Sequence, residues 1–125
     1  MNDAFVTAVN CMDGRVQLPV IEWMKKKYSA DYVDMVTEPG PIKHLAKNNP
    51  SYVSSIKDRV EISVKKHGSK VVAVVGHYDC AGNPVEKDIQ LEQLHRSIEL
   101  LKTWGLNVIL LELWVDEYWN VVQIK

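Results

Sequence analysis

Two short clusters hold the side chains best suited to chemistry. One is Cys11-Met12-Asp13-Gly14-Arg15, and the other is His77-Tyr78-Asp79-Cys80. A His and a Cys three apart on a tight turn can face one metal ion. Imidazole nitrogen and thiolate sulfur are the usual zinc donors, and Cys11 would complete a Cys2His set with His77 and Cys80. Three protein donors leave a fourth position. With water there the site is catalytic in form, because zinc lowers the pKa of a bound water to about 7. With a protein carboxylate there the site is closed. Asp13, two residues beyond Cys11, can reach the metal or its water. Arg15 lies two further on, and its guanidinium fork suits a bidentate pair with Asp13. Such a pair holds Asp13 ionised and off the metal; if it breaks, Asp13 can become the fourth ligand. Gly14 permits close backbone approach or unusual torsions.

Each of these residues also has a plainer reading. Cys11 and Cys80 can be buried thiols, since free Cys packs as a small hydrophobe. They can also form a disulfide. Their placement at two strand ends, with His77 beside one of them, favours ligation, and a reducing compartment disfavours the bridge. Asp13 and Arg15 can be a structural ion pair. Asp79 can hydrogen-bond around a ligand or be a loop residue with no such role. Gly40 can be a turn residue or a point of substrate approach. His67 and His95 read as structural, the first near a helix C-terminus. His44 joins them, with a proton-shuttle role as its alternative. Trp104, Trp114, Tyr118 and Trp119 read as core or subunit interface.

Alternating strands and helices must bring the two clusters together. Phe5 to Val9 reads as the first strand, ending at Asn10-Cys11. Val16 to Tyr28 reads as a helix with Pro19 in its first turn. Tyr32 to Val36 is the second strand, and Glu38-Pro39-Gly40-Pro41 is a turn. A short helical turn is expected over Ile42 to Lys47. A helix from Asn49-Pro50-Ser51 to about His67 carries the stripe Val53, Ile56, Val60, Val64, with Gly68 as its stop. Lys70 to Gly76 is a third strand whose unbroken apolar run suggests burial on both faces. The loop His77 to Pro84 leads to a helix over Ile89 to Trp104. Asn107 to Leu113 is the fourth strand, and Val121, Val122 and Ile124 can add a fifth at an edge. This alternation predicts a three-layer α/β fold with a parallel sheet of order 2-1-3-4, as one domain over residues 1–125. In such sheets ligands bind outside the strand carboxyl ends, where the order reverses. Both clusters leave strands at that crevice.

Composition narrows the function classes. The chain has 125 residues, with 46% hydrophobic and 25% charged and a formal net charge of -1, so no basic excess points to nucleic acid. No apolar run is long enough to span a bilayer, and the start Met1-Asn2-Asp3 lacks signal-peptide character. A cytoplasmic protein is expected.

The motifs carry a family resemblance. C-x-D-x-R after one strand and G-H-x-x-C after a later one resemble the β-class carbonic anhydrases, here as Cys11 to Arg15 and Gly76 to Cys80. The match is nearest to a compact, divergent branch and runs from about Phe5 to Leu113. The resemblance implies that Cys11, His77 and Cys80 bind zinc, that Asp13 and Arg15 form the dyad beside it, and that the reaction is reversible hydration of carbon dioxide to bicarbonate. It also implies a homodimer or higher homo-oligomer. Where the family usually reads N-A-G-N, this chain has Glu38-Pro39-Gly40-Pro41, and only Gly40 carries over, as a substrate-side residue. The Gly usual after the second Cys is Ala81 here, with Gly82 next. The departures keep two alternatives open: another small electrophile, such as carbon disulfide or carbonyl sulfide, or an inactive zinc-binding module. A phosphatase-type anion loop would need a longer run than Cys11 to Arg15.

Overall fold

The computed structural model describes residues 3–125. Its elements are β1 (Phe5–Cys11), a 3-10 turn (Gly14–Val16), α1 (Gln17–Tyr28), β2 (Tyr32–Glu38), α2 (Pro41–Ala46), α3 (Pro50–Lys66), β3 (Val71–His77), α4 (Lys87–Lys102), β4 (Ile109–Val115) and β5 (Val121–Gln123). The five strands are ordered β2-β1-β3-β4-β5. The first four are parallel, as the alternation predicts.

β5 departs from an all-parallel sheet: it pairs antiparallel with β4, Val115 facing Val121. Only Asp116 to Asn120 join the two strands. A parallel return needs a crossover of about a dozen residues or more, so this connection can only make a hairpin. β4 is also shifted toward the C-terminus relative to the expected Asn107 to Leu113. Asn107 is left-handed at φ 56 and still belongs to the turn after Gly105. Trp114 and Val115 are buried strand residues rather than part of a tail. β1 and β2 each run two residues past their expected ends, and Pro41 starts α2 rather than ending a turn. Pro suits that first helical position, where its missing N–H costs nothing.

β3 is buried along its whole length. Val71, Ala73 and Val75 face a core built with Val16, Val20 and Met24 from the α1 side. Val72 and Val74 face the opposite core, with Ile42, Leu45, Ile56, Val60, Leu94 and Leu101 from α2, α3 and α4. Alternate side chains of a strand point to opposite faces, so a strand sandwiched between helix layers needs an unbroken apolar run. The right-handed crossover rule explains why α1 lies on one face and α3 on the other: the chain steps from β1 to β2 through α1, then back past β1 to β3 through α3, so the two crossovers run in opposite directions. Among the described residues, no helix is long and apolar enough to cross a membrane.

The parallel register aligns the carboxyl ends. Cys11 is level with Glu38, and His77 with Val115. The β1–β3 pairing ends at Val9↔Val74, two residues short of Cys11. The backbone ladder therefore stops short of Cys11 and His77 at the point where the strand order reverses.

Candidate metal centre

Cys11 is the last residue of β1, His77 the last of β3, and Cys80 lies on the turn just after it. All three are buried, and one donor atom from each lies within 4.8 Å of the others. The sulfurs are 3.9 Å apart and both cysteines are free. A disulfide needs about 2.05 Å, so the bridge is not formed here.

The donor set passes a chemical test for a soft cation. His77 Nδ1 lies 2.7 Å from the Tyr78 carbonyl oxygen; only a protonated Nδ1 can donate there, which leaves the Nε2 lone pair free. Nε2 is buried and has no hydrogen-bond partner, the one such side-chain N or O atom among the described residues. Buried polar groups nearly always find a partner; a metal ion would supply one. The hydrogen bond from the Cys80 thiol holds the Cys11 thiol well below its usual pKa, against the opposing effect of burial; His77 and the Gly40 and Asp13 backbone N–H groups add to the lowering. The neighbouring Cys11 sulfur, then burial, pushes Cys80 up. Two sulfurs this close share a proton, which an incoming cation would displace. Burial pulls the His77 pKa down, but Cys11 and the Tyr78 carbonyl outweigh it and hold it above its ordinary value.

Asp13 and Arg15 meet as the spacing predicts. Asp13 caps the 3-10 turn by accepting from the Arg15 backbone N–H at 2.9 Å through Oδ1. Arg15 Nε donates to Oδ1 at 3.0 Å and Nη2 to Oδ2 at 2.7 Å. Arg15 thereby lowers the Asp13 pKa to about 2. Asp13 is not part of the three-donor cluster. Gln17 fixes the turn from beneath, donating through Nε2 to the carbonyls of Cys11 at 2.6 Å and Asp13 at 2.9 Å.

Gly40 is left-handed at φ +55, and a Cβ there would lie 2.7 Å from Asn83 Cβ and 3.0 Å from the Gly82 carbonyl carbon. Close approach of the β2 end to the Cys80 turn is thus a steric reason for Gly40. Gly82 answers it, with Pro39 atoms 2.8 Å from its own virtual Cβ. Gly14 differs from its expected role. It is not among the positive-φ residues, and nothing lies within 4 Å of a virtual Cβ, because the turn leaves that side open. Glu38 points to α3 and pairs with Arg59.

Sequence reasoning passed over several supporting residues. Buried Gln90, from α4, accepts from the His77 backbone N–H at 3.2 Å and donates to its carbonyl at 2.8 Å. Its position on the stripe of α4, where an apolar residue would be expected, was the available signal. Buried Asn10 donates to the Val16 carbonyl and accepts from the Cys11 N–H, fixing the end of β1. Asp79, read from the sequence as a ligand-side or loop residue, and Trp119, read as core or interface, both contact Arg15 instead. The remaining histidines lie elsewhere: His44 stacks on Tyr52 at 3.6 Å, His67 pairs with Asp34 at 2.6 Å, and His95 lies near Glu99 and Glu112.

Fold and site define an α/β protein with a Cys2His cluster at the switch point of its sheet and an Asp–Arg pair alongside. Known structures share the architecture. The β-carbonic anhydrase isoform I of Trichomonas vaginalis matches with TM-score 0.64 at 14% identity, over 99% of this chain and 85% of its own. The β-carbonic anhydrase CafA of Aspergillus fumigatus matches with TM-score 0.51 at 14% identity, over 99% and 76%. No curated protein sequence matches. The model of the family described as "putative carbonic anhydrase" matches residues 1–125, and the chain belongs to that family.

Proposed function

We propose that this chain is a zinc-dependent carbonic anhydrase-like enzyme that reversibly hydrates carbon dioxide to bicarbonate. The observation that carries the reading is a three-donor cluster with an ionised carboxylate held beside it by Arg15. Cys11, His77 and Cys80 would hold the ion. When bound, zinc supplies Lewis acidity, which lowers the pKa of water to about 7.

The chain's own groups do the rest. Asp13 Oδ1 accepts from the Arg15 backbone N–H and Nε, and Oδ2 accepts from Nη2 at 2.7 Å and, at a longer 3.2 Å, from the same Nε. The Nε–H is shared between the two oxygens and is the longer to Oδ2, which leaves Oδ2 the less occupied of the two and the one open to a further donor. Asp13 can thus orient a water by accepting one proton at Oδ2. Arg15 keeps that carboxylate charged. The Gly40 backbone, beside the Cys11 sulfur, forms the side along which substrate approaches.

Stopped-flow hydration by zinc-loaded protein tests the proposal. A rate above buffer between neutral and alkaline pH is expected, and its absence refutes the reading. Arg15→Ala should keep zinc and lose activity. A second reading keeps the metal but takes carbon disulfide or carbonyl sulfide. The contact of Pro39, which stands outside the family's usual N-A-G-N, with Gly82 favours it; hydrogen sulfide release from carbon disulfide would select it.

A further inference from the structure

Arg15 is gripped on more sides than its dyad role requires. Besides Asp13, its Nη1 donates to Asp79 Oδ2 at 3.2 Å and its Nη2 to the Asp79 carbonyl at 3.0 Å. Its guanidinium carbon lies 4.5 Å from the centroid of the Trp119 ring, a cation–π distance. The first grip comes from the turn that carries Cys80, and the second from the β4–β5 hairpin.

Backbone conformation singles out the same two residues. Among the described residues, five other than glycine have positive φ: Ser29, Asn48, Asp79, Asn107 and Trp119. Ser29, Asn48 and Asn107 lie in the turns after α1, α2 and α4, where left-handed residues are common. The other two, Asp79 at φ 57 and Trp119 at φ 64, are those that hold Arg15. Asp takes this region readily, but a residue as bulky as Trp119 rarely does, and such strain persists only where surrounding structure enforces it. Here Asp116 enforces it. Its Oδ1 accepts from the N–H groups of Tyr118 and Asn120, both at 2.9 Å, and its carbonyl accepts from Trp119 N–H at 3.0 Å. The two grips are also joined, because Tyr78 N–H donates to the Val115 carbonyl at 2.9 Å, where the hairpin begins.

We infer that Asp79 and Trp119 are positioning residues: they fix Arg15 against Asp13 and thereby keep the Asp13 carboxylate off the metal. The inference rests on the metal reading proposed above. Arg15 is half-exposed, so without these grips its long side chain would sample solvent and release Asp13. Asp13 would then compete for the fourth position, and an added anion would bind there less well.

The test compares wild type with Asp79→Gly/Trp119→Leu. Gly suits φ 57 and removes the Oδ2 contact, leaving the backbone carbonyl on a turn freed of its side-chain tie; Leu retains apolar packing while removing the aromatic face. Two readouts are taken. The NMR order parameter of the Arg15 Nε–H group, in metal-free protein, reports the grip. The affinity of azide for cobalt-substituted protein, followed by its visible spectrum, reports access to the fourth position. The expected result is a mobile Arg15 and azide affinity weaker by about tenfold, the scale of an exposed cation–π contact and an ion pair together. Asp79→Asn/Trp119→Phe, which keeps an acceptor and a ring, should restore both. An Arg15 that stays rigid in the first variant, or azide affinity that does not move, overturns the inference. Failure of the metal reading shows separately, as the absence of a cobalt–thiolate band in wild type; it overturns the inference's claim on the metal, while the order parameter still decides whether these residues hold Arg15.

Discussion

Gly40→Ala should destabilise the protein through a clash that Gly105→Ala lacks. Both glycines are left-handed, at φ +55 and +65. An L-residue there costs about 1–2 kcal/mol, partly offset by about 0.4–1 kcal/mol from a stiffer unfolded chain. At Gly105 nothing lies within 4 Å of the added methyl, so the net cost is about 1 kcal/mol. At Gly40 the methyl meets Asn83 Cβ at 2.7 Å and the Gly82 carbonyl carbon at 3.0 Å. Neither can yield without moving the turn that carries Cys80, and overpacking of this kind costs about 1–3 kcal/mol more. For a chain of this size about 1 kcal/mol is worth about 3 °C in Tm. Gly105→Ala should therefore melt about 3 °C lower and Gly40→Ala about 6–12 °C lower. Calorimetry in the presence of chelator isolates folding from metal linkage. Displacing the turn should also weaken metal binding in Gly40→Ala alone. Equal losses of Tm in the two variants would refute the steric argument and leave substrate approach as the reason for Gly40.

Gln90→Ala leaves the His77 N–H and carbonyl buried without their partner, at about 1–3 kcal/mol per group; a lower Tm and weaker zinc binding are expected by calorimetry and metal titration. Cys80→Ala should abolish the cobalt–thiolate absorption of a two-sulfur site, and an unchanged spectrum would remove Cys80 from the donor set. The Asp13 carboxyl should titrate near about 2, against an ordinary 3.8, and move back toward 3.8 in Arg15→Gln, as read by carbon NMR. Its folded pKa is the depressed one. Its contribution to stability is therefore complete above 3.8 and is lost as pH falls through about 2.

The sequence by itself indicated the four parallel strands and the three residues that could hold a metal. The run Val71 to Val75 suggests a strand buried on both faces, and the alternation of strands with crossover-length helices pointed to a parallel sheet of order 2-1-3-4. The strand order then placed Cys11 and His77 at adjacent strand ends, because register in a parallel sheet aligns carboxyl ends. Asp13 and Arg15 were legible because their pairing is local, across a single turn. Tertiary structure alone decided what surrounds them. Asp79 reaches Arg15 only through the fold of the Cys80 turn, and Trp119 only through a hairpin whose antiparallel strand its short connection requires. Gln90 looked like one polar residue on an apolar helix until α4 docked it on the His77 backbone. Gly40 read as a turn glycine, yet its tightest constraint comes from Gly82 and Asn83, which lie far along the chain. Local spacing encodes which groups can meet. The long-range contacts that hold a guanidinium still, or exclude a methyl group, exist only once the strand ends and their turns are packed together.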